Sequence, residues 1–475
     1  MDRRVLAIDL GGSSGRVMLG TYRAGAVFIE ELHRFVNEPV RENGHLRWDF
    51  PRLLEEIKEG IRRAGAYGSI DSLAVDTWGV DFGLLDKDGN LLEKPVNYRD
   101  ERTRGMMEEV FRVFPRERLY EITGNQFMEI NTVFQLYYLV QKKPELLLQT
   151  GRLLLMPDLI NFFLCGEACG EHSIASTTQM MDVRERRWSR EVLETLSIPE
   201  RILPELVPPG TRIGVLKEEL QKELGVGPIQ VIATAGHDTQ SAMAAVPSED
   251  EDFVFISCGT WSLMGTELDQ PCADGTALRL NVTNEAGAQG KISFLKNISG
   301  TWLIQECRNQ WRREGKDYSF GELEALAREA GPAGCILDPD APEFASPGDM
   351  PGRIREYAVR TGQPVPETEG QVVRCINESL ARKYKKAMEE ICACTGKTYD
   401  AVYMVGGGCQ SGLLCELTAA ACGCRVYAGP VEATVLGNIG IQLMGLGEVK
   451  DLQQLRRMIK KAENQKMYEG GKLRP

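Results

Sequence analysis

Val5-Leu6-Ala7-Ile8-Asp9-Leu10, the turn Gly11-Gly12-Ser13-Ser14-Gly15 and the return Arg16-Val17-Met18-Leu19-Gly20 decide how the rest of the chain is read. Two short β-favouring runs around a Gly/Ser turn predict a hairpin. The turn is longer and richer in glycine and hydroxyls than a hairpin needs. Its backbone N–H groups can therefore converge on an anion, with Ser13 and Ser14 adding donors. Asp9 ends the first run beside that grip, where a carboxylate repels phosphate unless a cation stands between them. A Mg²⁺ held through water fits there; a solvated Asp closing an ordinary hairpin is the alternative. A second copy favours the first reading: Phe253 to Ser257 is apolar, Cys258-Gly259-Thr260 turns, and Trp261 to Gly265 returns. Two phosphate-type hairpins half a chain apart predict two similar domains facing one nucleotide.

The chain has 475 residues, too many for one core, and two large units are the default. Its formal net charge of -12 is spread along the chain rather than gathered in a tail, which argues against nucleic acid or an anionic membrane as partner. The most hydrophobic stretch, Leu153 to Cys165, is cut by Pro157, Asp158 and Asn161, too soon to span a bilayer. Few apolar residues precede Asp9, so no signal-peptide core is expected and a cytoplasmic location is. The 13 cysteines all lie from Cys165 onward, many inside apolar segments, as free thiols do in a reducing compartment.

Along the chain, Ala26 to Arg34 reads as a third strand and Phe50 to Ala64 as an amphipathic helix on Leu53, Leu54, Ile57 and Ile61. Ser69 to Val75 is a strand delivering Asp76-Thr77-Trp78-Gly79-Val80-Asp81-Phe82. Tryptophan beside carboxylates suits a sugar, because the ring covers its C–H face while acids accept from hydroxyls; a buried Trp beside a turn is the bland reading. Glu101 to Leu119 and Asn131 to Lys142 look helical and belong to a middle segment expected to cap the sugar site. Gln230 to Ala235 is a buried-type strand ending in Gly236-His237-Asp238-Thr239. Active carboxylates are often placed at such a strand-to-helix corner, although Asp238 could equally be the helix N-cap. Pro247 to Asp252 is acidic and turn-rich and reads as a linker between domains 1–246 and 253–475.

In the second half, Lys296-Asn297-Ile298-Ser299-Gly300 leads into a helix carrying Trp302 and Gln305, and Pro332 to Pro366 reads as irregular. Gly370 to Cys394 is a long helix. Asp400 to Val405, Gly406-Gly407-Gly408 and a helix start would let a nucleotide lie on bare backbone. Glu432 to Gly445 is expected to pack on the same sheet. Gly396-Lys397-Thr398 resembles the end of a P-loop but follows a helix rather than a strand. Cys392-X-Cys394 and Cys422-X-Cys424 lack the usual spacing of a zinc site.

Taken in order, the first hairpin with Asp9, Asp76 to Phe82, Tyr98-Arg99-Asp100, His237-Asp238-Thr239, Ser257 to Gly265, Lys296-Asn297-Ile298, Val405 to Gln410 and Gly429 to Thr434 resemble the FGGY family of sugar kinases over nearly the full length. The resemblance implies an α/β fold of two actin-like, RNase H-like domains of the ASKHA superfamily with a central cleft. Asp76 to Asp81 and Ser257 to Leu263 point within the family to L-rhamnulose, phosphorylated by ATP with Mg²⁺ to the 1-phosphate; Cys258 stands where the family has a small residue. The implied phosphate ligands are Gly12, Ser13, Ser14, Gly15 and Arg16, with Thr260, Gln305 and Gly407 on ATP and Asp9 serving the metal. Gly79, His237, Asp238, Thr239 and Asn297 would line the sugar, with Asp238 as the base. Some members pair cysteines before the long helix; here Val359 stands upstream of Cys375, so no disulfide is carried over. The rivals are an FGGY kinase of another ketose and a non-catalytic actin-like protein that binds sugar or ATP, and the chain is expected to be a monomer or homodimer.

Overall fold

The computed structural model describes residues 2–470, which pack as two units. The first comprises residues 2–249, 268–294 and 433–462, the second residues 250–267, 295–432 and 463–470.

The first unit is built on the opening hairpin. β1 (Arg3–Leu10) pairs antiparallel with β2 (Ser14–Arg23), in a register that sets Asp9 opposite Arg16, and β2 with β3 (Ala26–Val36). β4 (Ser72–Thr77) lies parallel to β1 with Asp76 beside Asp9. β5 (Thr211–Val215) and β6 (Gln230–Ala233) complete the sheet in the order β5-β6-β4-β1-β2-β3. Val5 to Leu10 are all buried, as a central strand covered on both faces requires. The helix Phe50–Ala64 forms as its periodicity predicts, with Pro51 in its first turn and Leu53, Ile57 and Ile61 inward. Each of those side chains contributes roughly 1.5–3 kcal/mol of burial.

The second unit repeats the plan. β7 (Val254–Cys258) pairs antiparallel with β8 (Trp261–Leu268), β9 (Ile292–Ser299) follows, and β10 (Ala401–Val405) and β11 (Arg425–Ala428) run parallel to β7. With β12 (Lys466–Tyr468) at the edge, these strands stand in the order β9-β8-β7-β10-β11-β12. In both sheets the first strand of the hairpin pairs antiparallel with the second on one side and parallel with a later strand on the other, the duplication that the two glycine turns predict. The helix Glu369–Thr395 opens on a Thr368/Gln371 capping box and ends on left-handed Gly396, so the P-loop look-alike is a helix terminus.

Several local expectations need correction. Pro115 breaks the predicted 101–119 helix into Met106–Val113 and Arg116–Thr123. The segment 332–366 is not wholly irregular, since Met350–Arg360 is a helix capped by Asp349. The helix Ala433–Leu446 packs in the first unit, not on the second sheet: Gln442 Nε2 donates to Leu6 O at 2.9 Å and Ser72 Oγ to Gln442 Oε1 at 2.7 Å. Its small residues serve a close helix crossing, where a Cβ on Gly437 would lie 1.7 Å from Ser241 O. Cys375 does have a neighbouring cysteine: its thiol donates to Cys335 O at 3.1 Å, and both thiols are free.

Candidate functional site

Within the first unit, the carboxyl ends of β1, β4 and β6 carry Asp9, Asp76 and the His237-Asp238 corner side by side. Thr77 N–H donates to Gly236 O at 2.8 Å, tying the third to the second. Ligands bind open α/β sheets at this edge because loops there are free of the sheet's own hydrogen bonding. Arg16 Nη2 donates to Asp9 Oδ2 at 2.5 Å, so the two residues expected at phosphate and metal hold each other. Asp76 is fully buried: its Oδ2 accepts from Asn438 Nδ2 at 2.5 Å, while Oδ1 has no hydrogen-bond partner. Burial first, then the charge of Asp9, holds the Asp76 pKa well above the carboxylate range.

That cluster bears on the expected Mg²⁺. A buried orphaned oxygen on Asp76, and the charge of Asp9 pushing up the pKa of both Asp76 and Asp238, fit a hard cation with oxygen ligands. Among the described residues, no three His, Cys, Asp or Glu side chains converge to hold a metal by themselves. The donor set therefore suits Mg²⁺ bound through one or two carboxylates, water and phosphate.

Asp238 is the first residue of the helix Asp238–Ala244, and His237 is the residue before it, so Asp238 is not the N-cap. Its side chain is 31% exposed, and its Oδ1 accepts from Thr239 Oγ1 at 3.1 Å and lies 3.5 Å from His237 Nε2. Burial pushes its pKa up to about 6; the His237 charge opposes that and Asp9 adds to it. Behind it runs a buried relay: His237 Nδ1 meets Glu285 Oε2 at 2.8 Å, which also accepts from Gln240 Nε2 at 2.8 Å, and Ser293 Oγ donates to Gln240 Oε1 at 2.6 Å. Burial works against the imidazolium, but Glu285 outweighs it and raises the His237 pKa to about 9. Glu171 fixes the backbone of the corner, accepting from Gly236 N at 2.8 Å.

The Trp78 cluster differs from its expected form. Asp81 does not offer its oxygens to a ligand: Oδ2 accepts from Trp48 Nε1 at 2.6 Å, Trp78 Nε1 at 3.0 Å and Tyr98 N at 3.1 Å, and Oδ1 from Gln135 Nε2 at 3.2 Å. Trp78 is buried, its ring 4.1 Å from that of Trp48. Here the bland reading holds, and Gly79 is the part-exposed residue of the run.

The Gly11–Gly15 turn closes with Gly11 N–H on Ser14 O at 2.8 Å and is braced by buried Asn37, whose Nδ2 donates to Gly11 O at 2.8 Å. Ser13 is exposed, while Gly12, Ser14 and Arg16 are partly so. Gly15 is buried, and its lack of a side chain serves packing, since a Cβ there would lie 2.3 Å from the Phe35 ring.

In the second unit, the structure brings Thr260 and Gln305 together. Thr260 Oγ1 donates to Gln305 Oε1 at 3.3 Å, and Gln305 Nε2 to Thr301 Oγ1 at 3.1 Å. A Cβ on Gly407 would meet nothing within 4 Å, whereas one on Gly408 would lie 2.2 Å from Cys258 Sγ. Cys258 is thus the packing floor of the triple glycine. Asn297 lies on β9, partly exposed.

Asn438, Gln240 and Glu285 were missed from the sequence. Asn438 and Gln442, four residues apart on an otherwise apolar small-residue helix, are the signal that a polar contact was waiting for that face.

The fold and these corners are those of a sugar kinase, and the chain belongs to the FGGY family of carbohydrate kinases. Residues 4–245 match the family's N-terminal domain and residues 254–446 its C-terminal domain. It is 43% identical to a rhamnulokinase of Bacteroides thetaiotaomicron over 98% of this chain and 96% of that one. The rhamnulokinase of Klebsiella pneumoniae is 39% identical, over 96% of this chain and 93% of its own. Solved structures share the fold at lower identity. Xylulose kinase from Lactobacillus acidophilus superposes with a TM-score of 0.80 at 18% identity, covering 99% of this chain and 94% of its own. Plasmodium falciparum glycerol kinase with ADP gives 0.78 at 14%, covering 98% and 94%. The chain is thus a phosphotransferase with a sugar as acceptor and ATP as donor. Among the described residues, no helix is long and apolar enough to cross a membrane.

Proposed function

We propose that this chain transfers the γ-phosphoryl group of ATP to the C1 hydroxyl of L-rhamnulose, giving L-rhamnulose 1-phosphate and ADP, in the cytoplasm and in the service of rhamnose breakdown. The substrate rests on full-length similarity to rhamnulokinases at 36–43% identity. The chemistry rests on one observation: Asp238, at a strand-to-helix corner, is part-exposed, does not cap its helix, and has its pKa pushed up to about 6. A carboxylate of that pKa is ionised at neutral pH yet more basic than an ordinary Asp, which suits removal of the hydroxyl proton as the phosphoryl group arrives.

In this reading Asp238 accepts the C1 hydroxyl proton, and Thr239 holds the carboxylate in place. His237, kept cationic by Glu285, donates to a sugar oxygen. Gly79 and Asn297 complete the sugar contacts. Gly12, Ser13, Ser14, Gly15 and Arg16 bind the phosphates, and Thr260, Gln305 and Gly407 hold the rest of ATP. Asp9, through water, would hold Mg²⁺, which when bound neutralises charge on the phosphates. Arg16 would then turn from Asp9 toward a phosphate oxygen.

A panel of ketoses assayed for ADP release, with the phosphorylated position read by phosphorus NMR, tests the proposal. L-Rhamnulose should give the highest kcat/KM and a 1-phosphate. A higher kcat/KM for another ketose, or phosphate on another carbon, overturns the substrate assignment.

A further inference from the structure

Val80 is a β-branched residue at φ +67°, a conformation its side chain strongly disfavours. Asp81 N–H donates to Gly79 O at 2.9 Å, closing a three-residue γ-turn of the rare, strained hand with Val80 at its centre. Such strain persists only where the surroundings over-determine it.

The surroundings do so here. Val80 N–H donates to Thr177 Oγ1 at 3.1 Å, and Val80 O accepts from Thr132 Oγ1 at 2.7 Å and from Gln135 Nε2 at 3.3 Å. Thr132 and Gln135 sit on one helix, Thr132–Lys142, and Thr177 directly follows another, His172–Ser176. Asp81, the next residue, is pinned by the indole, amide and backbone donors already described. Both peptide groups of Val80 are thus gripped by side chains distant in sequence.

The turn has one visible product. From Ser72 to Leu85 every residue is buried except Gly79. A Cβ on Gly79 would press on Thr177 at 3.2 Å, so the part-exposed patch is bare backbone.

We propose that Thr177, Thr132 and Gln135 are positioning residues for the acceptor sugar, acting through strained Val80 to hold the Gly79 backbone at the surface as a rigid sugar contact. This deepens the proposed function and rests on it. None of the three touches the reacting atoms; they set how well the ketose is held.

The test uses the full-length enzyme and the ketose that the wild type phosphorylates best. Thr177→Val keeps the shape but removes the acceptor for Val80 N–H. Ketose KM should rise roughly three- to tenfold, the worth of one neutral hydrogen bond, while ATP KM and kcat stay near wild type. Thr177→Ser should restore the KM. Val80→Gly accepts the positive φ without strain, although it gives up a buried side chain, so the freed turn should relax, ketose KM rise and the amide at position 80 exchange faster. Should Thr177→Val fail to fold, Thr132→Val and Val80→Gly carry the same comparison. A lowered melting temperature with unchanged ketose KM in Thr177→Val, or unchanged KM in Val80→Gly, overturns the positioning role. A wild type that phosphorylates no ketose refutes the proposed function instead, and the inference with it.

Discussion

Replacing Glu285 by Gln would remove the charge that faces His237 while keeping an amide able to accept from Nδ1–H. Glu285 Oε2 lies 2.8 Å from Nδ1, and the two side chains are only 4% and 9% exposed, so solvent screens little of their attraction. The His237 pKa rises from 6.5 to about 9 in the fold, worth about 3 kcal/mol. Because the folded-state value lies above the unfolded one, that stabilisation is fully present below pH 6.5 and lost as pH rises through about 9. In the variant, burial acts on the imidazole unopposed by Glu285, so His237 should be neutral at pH 7. Denaturant unfolding of both proteins across this range should show a large deficit for Glu285→Gln below pH 6.5 that shrinks above pH 9. Asp238 would also lose the neighbouring cation that holds its pKa down, so the acid limb of kcat/KM should move above about 6. A stability deficit constant from pH 6.5 to 9, with an unmoved acid limb, would refute a charged His237 and the relay behind it.

Asp9→Asn should raise the Mg²⁺ concentration needed for activity. It should also lower the melting temperature, because it takes the carboxylate from Arg16; full activity at low Mg²⁺ would remove Asp9 from the metal. Gly407→Val should fold normally, as its Cβ meets no atom within 4 Å, and lose ATP affinity by calorimetry with sugar affinity kept. Gly408→Ala should destabilise by roughly 1–3 kcal/mol through overpacking, its Cβ falling 2.2 Å from Cys258 Sγ, with Cys258→Gly recovering most of the loss in chemical unfolding. Without that recovery, Cys258 would not be what the glycine accommodates.

What could be read from the sequence was what is local. The two hairpins, the Phe50–Ala64 helix and the His237-Asp238 corner each declare themselves within a few residues, through period, turn chemistry and a polar residue ending an apolar run. What escaped depends on contacts between distant segments. Asn438 and Asp76 are 362 residues apart, and the helix bearing Asn438 has the small-residue pattern of any sheet-packing helix, so its assignment to the second sheet was wrong. Glu285 sits in Thr283–Ala286, which carries no motif. Val80 is a good strand former by propensity, and the positive φ forced on it by Thr132, Gln135 and Thr177 leaves no trace in local composition. Asp81 beside Trp78 looked like a sugar ligand because sequence cannot say that four donors already occupy its oxygens.

The central claim is that Asp238 takes the proton from the sugar hydroxyl. Asp238→Asn preserves size and most hydrogen bonds and removes basicity, and it disturbs no cap, since His237 precedes the helix. A single-turnover measurement of phosphorylated L-rhamnulose, with ATP, Mg²⁺ and ketose saturating, isolates that step from binding and release. The rate should fall by about 10²–10⁴-fold while ketose affinity changes far less. Phosphoryl transfer at the wild-type rate would contradict the assignment of Asp238 as the base.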